Sequence, residues 1–193
     1  HCGLPIANGN LGILIWGDKT LNLTVNRSDF WDHRGGENIV EGTCYDKLAE
    51  FAKEHGFSSR LNELILSGRR NWEVDFLRPQ RIPVGRFELN FGENVKPVSI
   101  RLDYETGEAA VLLSNGAELK INISLRSHVV FIDDPGRSIQ SVRNHPSWEF
   151  RKSKAWLSRF GFQAPELLPD GWKINCPDPA DGSLTVRCTR RDG

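Results

Sequence analysis

The sequence has no methionine at all among its 193 residues. It also lacks any apolar run near the ~20 residues needed to cross a bilayer, which excludes a membrane-spanning role. Excess charge of one sign is missing as well, because 25 Lys and Arg balance 25 Asp and Glu. With no basic surplus to neutralise a phosphate backbone, a dedicated nucleic-acid binder is disfavoured. Cysteine is scarce, and Cys2, Cys44, Cys176 and Cys188 never form a C-x-x-C pair. The histidines His1, His33, His55, His128 and His145 are dispersed, with no two at chelating spacing. Structural metal sites show close ligand pairs, so no metal and no cofactor are expected. No signal peptide is legible, since Leu11 to Trp16 is too short and has no charged leader. The chain opens at His1 and stops at Gly193 just after the strand-like run Leu184 to Cys188. Together with the missing methionine, this reads as a piece excised from a longer protein.

What is present fits a globular β protein of one domain, residues 1–193. Ile13 to Trp16 and the alternating Leu21, Leu23 and Val25 predict two antiparallel strands joined at Gly17-Asp18-Lys19. Tyr45 to Ser58 breaks the pattern: Leu48, Phe51 and Ala52 fall at helical spacing, with Gly56 as a stop. With a further turn at Asn62 to Leu66, this predicts a short helical insertion near residues 45–66. Period two returns from Val98 to Asp133 as a four-strand meander. Within it, Ser114-Asn115-Gly116-Ala117 supplies the Asn-Gly hairpin signal that calls for positive φ at both central residues. Cys176 to Cys188 reads as a last hairpin around Asp181-Gly182, and a disulfide across it would fit an exported parent. Short strands with Asx-Gly turns indicate an antiparallel β-sandwich with large sheets.

No motif of catalysis stands out. The loop Gly9-Asn10-Leu11-Gly12 leads into a strand, whereas a dinucleotide fingerprint leads into a helix, so the glycines serve backbone geometry. There is no G-x-S-x-G. Carboxylate pairs are plentiful, as in Asp29 with Asp32 or Asp133 with Asp134, and the second reads as a turn. The richest local feature is Asn26 to His33, where amide, carboxylate and aromatic groups follow a strand directly. An aromatic face beside such groups suits a sugar, although the simpler reading makes Phe30 and Trp31 core anchors and the polar groups turn caps. The triplets at Asn22, Asn26 and Asn122 match glycan acceptors but fall in or beside strands and are read as chance.

Three segments together carry a resemblance: Leu4-Pro5-Ile6-Ala7-Asn8-Gly9-Asn10-Leu11-Gly12, the strand ending at Trp16-Gly17, and Asn26-Arg27-Ser28-Asp29-Phe30-Trp31. They resemble the opening of glycoside hydrolases of the α-L-fucosidase type (family 95) and of the related family 65. Pro83 to Leu89, Ile100 to Asp103, Gly116-Ala117 and Leu125 to Ser127 are similar to the same domain, so the likeness spans about residues 3–135. It implies an N-terminal β-super-sandwich followed in the parent by an (α/α)6 barrel. The barrel carries the catalytic acid and base, so this chain has no catalytic residue of its own and would be inactive in isolation. Asn8, Asn10, Asp29 and Trp31 are the positions implied nearest the sugar. Ala7 and the Arg27 to Phe30 segment depart from the fucosidase pattern, so the implied substrate is an oligosaccharide or glycoside without a named sugar. The implied partner is the catalytic barrel in cis. A free-standing carbohydrate-binding sandwich is the alternative. The compartment stays open, with export favoured.

Overall fold

The computed structural model describes residues 3–34, 45–56 and 80–191. Two compact units separate: His1–Phe30 with Arg81–Gly193, and Trp31–Gln80. The first unit is an antiparallel β-sandwich. One layer is a five-stranded sheet containing β1 (Leu4–Ala7), β2 (Leu11–Trp16) and β3 (Leu21–Arg27). The tiny strands β4 (Trp31–Asp32) and β5 (Gln80–Arg81) come next in chain order, with helix α1 (Tyr45–His55) between them. The five-stranded sheet is completed by β6 (Gly85–Asn90) and, much later, β11 (Ser141–Pro146), in the order β1-β2-β3-β6-β11. The meander β7 (Pro97–Leu102), β8 (Ala109–Leu113), β9 (Glu118–Ile123) and β10 (Val130–Asp133) forms a four-stranded sheet. Helix α2 (Arg151–Arg159) then leads to a three-stranded sheet of β12 (Glu166–Leu168), β13 (Gly171–Asn175) and β14 (Ser183–Arg187).

Alternation in the sequence becomes alternation in burial. Ile13, Ile15, Leu21, Leu23, Phe87 and Leu89 are all buried, and Val111, Leu113, Leu119 and Ile121 are buried on the meander. At ~1.5–3 kcal/mol for each such side chain, these rows dominate the drive to fold. The sheet junction is made by Trp172 of β13. Its ring is fully buried, lies 4.9 Å from Phe87 between centroids, and donates its Nε1–H to the Val84 carbonyl at 3.2 Å. That approach requires Gly85. Its φ is +142°, and a Cβ there would sit 2.6 Å from the His145 carbonyl oxygen and 2.8 Å from the Trp172 ring.

Several sequence expectations meet a different local answer. Ahead of the Gly9 loop the chain already forms a strand: Pro5 faces Leu14 in β1, which is an edge strand among the described residues, where the missing N–H costs no ladder bond. At the Asn-Gly turn Gly116 takes φ +85° while Asn115 does not turn positive. Asn115 uses its Oδ1 to accept the Ala117 N–H at 3.1 Å, and a longer loop replaces the two-residue turn. A bulge between Pro97 and Ser99 turns Val98 outward, and Val98 and Tyr104 are exposed. The last hairpin starts before Cys176, since β13 and β14 pair Gly171 with Arg187 and Asn175 with Ser183. Cys176 and Cys188 therefore flank opposite ends of the ladder. At ~3.4 Å per residue they stand roughly 20 Å apart, far beyond disulfide reach. No disulfide joins them.

In the second unit, α1 forms where the helical spacing predicted it and stops at Gly56, whose φ is +66° and whose N–H caps the Ala52 carbonyl. The turn expected at Asn62 to Leu66 lies outside the described residues. No described helix is long and apolar enough to cross a membrane.

Trp172→Ala is expected to lower stability by about 3–5 kcal/mol, the usual cost of emptying an aromatic core site. Urea unfolding followed by circular dichroism measures it.

Candidate functional site

At one end of the sandwich three chain segments meet: the β1–β2 turn at Asn8 to Asn10, the end of β3 at Arg27 to Asp29, and the β9–β10 loop at Ser124 to His128. Asn8 ties them. Its Nδ2 donates to the Ser124 carbonyl at 2.7 Å and the Ser127 carbonyl at 3.2 Å. Its Oδ1 accepts the Asn10 and Leu11 N–H groups at 3.1 and 2.8 Å. Four bonds use the full capacity of the amide, so Asn8 positions the rim and has nothing left for a ligand. Asn10 receives the Ser28 N–H on its carbonyl at 2.8 Å and the Ser28 hydroxyl on its Oδ1 at 3.4 Å. Its side chain reaches solvent with its Nδ2 donors.

Arg27 grips Asp29 with a two-pronged fork, Nε to Oδ1 at 2.8 Å and a terminal nitrogen to Oδ2 at 2.6 Å. That hydrogen-bonded guanidinium holds the Asp29 carboxyl below its ordinary value of 3.8, and His128 adds in the same direction. Asp29 is therefore a fixed anion at the rim, half-exposed. Trp31 belongs to the second unit and is half-buried there. Next to it, Asp32 is buried and held by the Arg34 fork at 2.9 and 2.8 Å. The two carboxylates of the Asp29 and Asp32 pair thus each answer to their own arginine. Phe30 is a core residue of the first unit. Asp134 accepts the Ser138 and Ile139 N–H groups at 2.8 Å, the turn that ends β10.

Among the described residues, the carboxyl groups that move clearly from their ordinary values all move down. Besides Asp29, Asp103 is lowered by backbone N–H donors in the β7–β8 turn, and Glu108 by the Asn122 amide. A general acid needs the opposite shift. Among the described residues no group of three or more His, Cys, Asp or Glu stands together to hold a metal. The Cys188 thiol is pushed up by burial, with Asp170 adding to the rise, which is the reverse of an activated nucleophile.

A second polar cluster lies on the outer face of the five-stranded sheet, where residue types alone gave no warning of it. Arg86 of β6 sits opposite Thr24 and His145 in register, so these side chains share one face. The Arg86 guanidinium carbon lies 5.3 Å from the Trp16 ring and 5.0 Å from the Phe150 ring. Trp16 in turn donates its Nε1–H to Thr24 at 3.0 Å. His145 is buried, with Nδ1 2.7 Å from a Glu149 oxygen and Nε2 3.4 Å from a Glu88 oxygen. Asn22 Oδ1, Arg86 Nε, His145 Nε2 and Ser147 Oγ are the buried side-chain atoms without a hydrogen-bond partner among the described residues. The only sequence trace of this set is the spacing of Arg86 and Glu88 around Phe87. His145 joins them solely through the pairing of β6 with β11.

Compared with known proteins, the sequence matches no family model and no curated protein.

Asn8→Ala frees the β1–β2 turn from the β9–β10 loop. It is expected to cost about 1–3 kcal/mol, read by urea denaturation, and to speed amide exchange at Leu11. Arg27→Gln removes the fork from Asp29, so a carboxyl-carbon NMR titration should show the Asp29 pKa rise toward 3.8. The sign follows from the depressed native value. The stabilisation from the pair is complete above the ordinary pKa and fades as pH falls through the native one.

Proposed function

We propose that this chain is the N-terminal β-sandwich domain of a glycoside hydrolase resembling families 95 and 65. It packs on a catalytic barrel supplied in cis and lends polar loops to the sugar pocket. The observation that carries this reading is the rim fixed by Asn8, whose amide bonds to carbonyls 116 and 119 residues further along the chain. Such long-range ties hold the neighbouring Asn10 and Asp29 in place before any ligand arrives. Preorganised donors and acceptors are what a hydroxyl-rich ligand needs, since binding then spends little on ordering side chains. In this reading Asp29 and Asn10 face the sugar, while Asn8 and Arg27 hold them.

The alternative, a free-standing module that stacks sugars on tryptophan, has less in its favour. Trp172 is fully buried, the Trp16 ring is covered by Arg86, and Trp156 lies 4.8 Å from Phe160 between centroids.

Aryl glycosides incubated with this chain alone should show no turnover, while the full-length parent hydrolyses one of them. In the parent, Asp29→Ala is expected to raise KM about tenfold, the loss of one charge-assisted hydrogen bond worth ~1.5 kcal/mol. Turnover by the isolated chain would overturn the division of labour.

A further inference from the structure

The layer facing the five-stranded sheet is split. Its two parts, β10-β9-β8-β7 and β12-β13-β14, each end at a strand that pairs on one side only among the described residues, β10 and β14. Between these ends runs a cleft of about 380 Å³. The way each strand lines it differs. From the five-stranded sheet come alternate residues, Leu11 and Ile13, Leu23 and Val25, Phe87 and Leu89, so that sheet presents its inward face as an apolar floor. From the C-terminal segment come six consecutive residues, Leu184 to Thr189. A strand that lines a cleft with successive residues is presenting its edge, where unpaired main-chain groups project. The charged groups that line the cleft are of one sign: Arg27, Arg187 and Arg191, with His128 beside them and no Asp or Glu. Arg27 and Arg187 are engaged by Asp29 and by Asp170 at 3.3 Å, yet each guanidinium keeps free N–H donors.

From this juxtaposition we infer that β14 is a receptor edge for an extended peptide strand whose apolar residues alternate with acidic ones. The peptide adds to β14 by main-chain hydrogen bonding, the strand-addition mode of recognition. Every second side chain drops onto the floor of Ile13, Val25 and Phe87. At the ~30 Å³ of a water-sized group, the cleft takes about a dozen heavy atoms, which is three or four valine side chains. The intervening side chains point away from the floor, and acidic ones there meet Arg187 and Arg191. The site does not rest on the proposed saccharide role, and the occupant is a partner peptide supplied in trans.

The test uses the whole chain and blocked, fluorescein-labelled five-residue peptides in which valine alternates with glutamate or with lysine. Fluorescence anisotropy is expected to show the glutamate peptide binding at least tenfold tighter than the lysine peptide, with the gap closing in high salt. Arg187→Glu, at a half-exposed position, should reverse the preference without lowering the melting temperature. N-methylating the peptide at alternate positions should abolish binding for one of the two patterns only, because just one set of its amides faces β14. Equal losses for both patterns, no charge preference, or no binding overturns the proposal. Displacement of a bound peptide by decanoate, or a chain that sedimentation shows to dimerise through β14, assigns the cleft to another occupant and overturns it too.

Discussion

One buried indole sets the layer arrangement. Trp172 brings the small C-terminal sheet against β6 through a single hydrogen bond to Val84 and a tilted contact with Phe87. The approach is so close that the facing position must be Gly85. An indole in that place is worth several kcal/mol of burial, against a net stability of only ~5–15 kcal/mol for a whole domain. The three-stranded sheet is too small to hold itself together by its own apolar face, so this anchor determines that it stays. It also fixes where the sheet lies. β13 is held over β6, so β14 stops short of β10, and the second layer keeps its gap.

At the rim of the sandwich, stability and availability divide the polar groups. Asn8 spends its amide on the protein, as does the Arg27 fork on Asp29. What remains for solvent or a ligand is a set of groups already placed. The outer-face cluster has a different character. Arg86 and His145 lie between aromatic rings and carboxylates while some of their buried atoms stay unsatisfied. Low dielectric raises the stakes for such groups, so this part of the sheet tolerates little change in the side chains around them.

The sequence exposed this architecture unevenly. The meander and the β2–β3 hairpin were legible because each strand has one wet and one dry face, and that difference is written in the residues. β11 was not, because Ser141 to Pro146 is mostly polar and gains its place by pairing with β6. Helix α2 was hidden for a similar reason, since Leu157 is its one buried residue. Pro5 disguised β1, as proline is compatible with a strand only at an edge, and edges are decided by topology. Of the four positions the resemblance implies, Asn8, Asn10 and Asp29 lie in one loop cluster, while Trp31 belongs to the second unit. The saturation of Asn8 follows from carbonyls more than a hundred residues away. The Arg86 and His145 cluster depends on register, which no local pattern encodes.

Asn22 heads an Asn-Leu-Thr triplet and lies in β3, flanked by β2 on one side and β6 on the other, with its side chain buried. A branched sugar attached there would have to occupy space that Trp16 and Glu88 fill. Oligosaccharyl transfer happens while a chain is still unfolded, so a eukaryotic secretory route would trap any molecule modified at this asparagine outside its native sheet. A producer lacking that modification machinery is the host in which every copy can complete the fold.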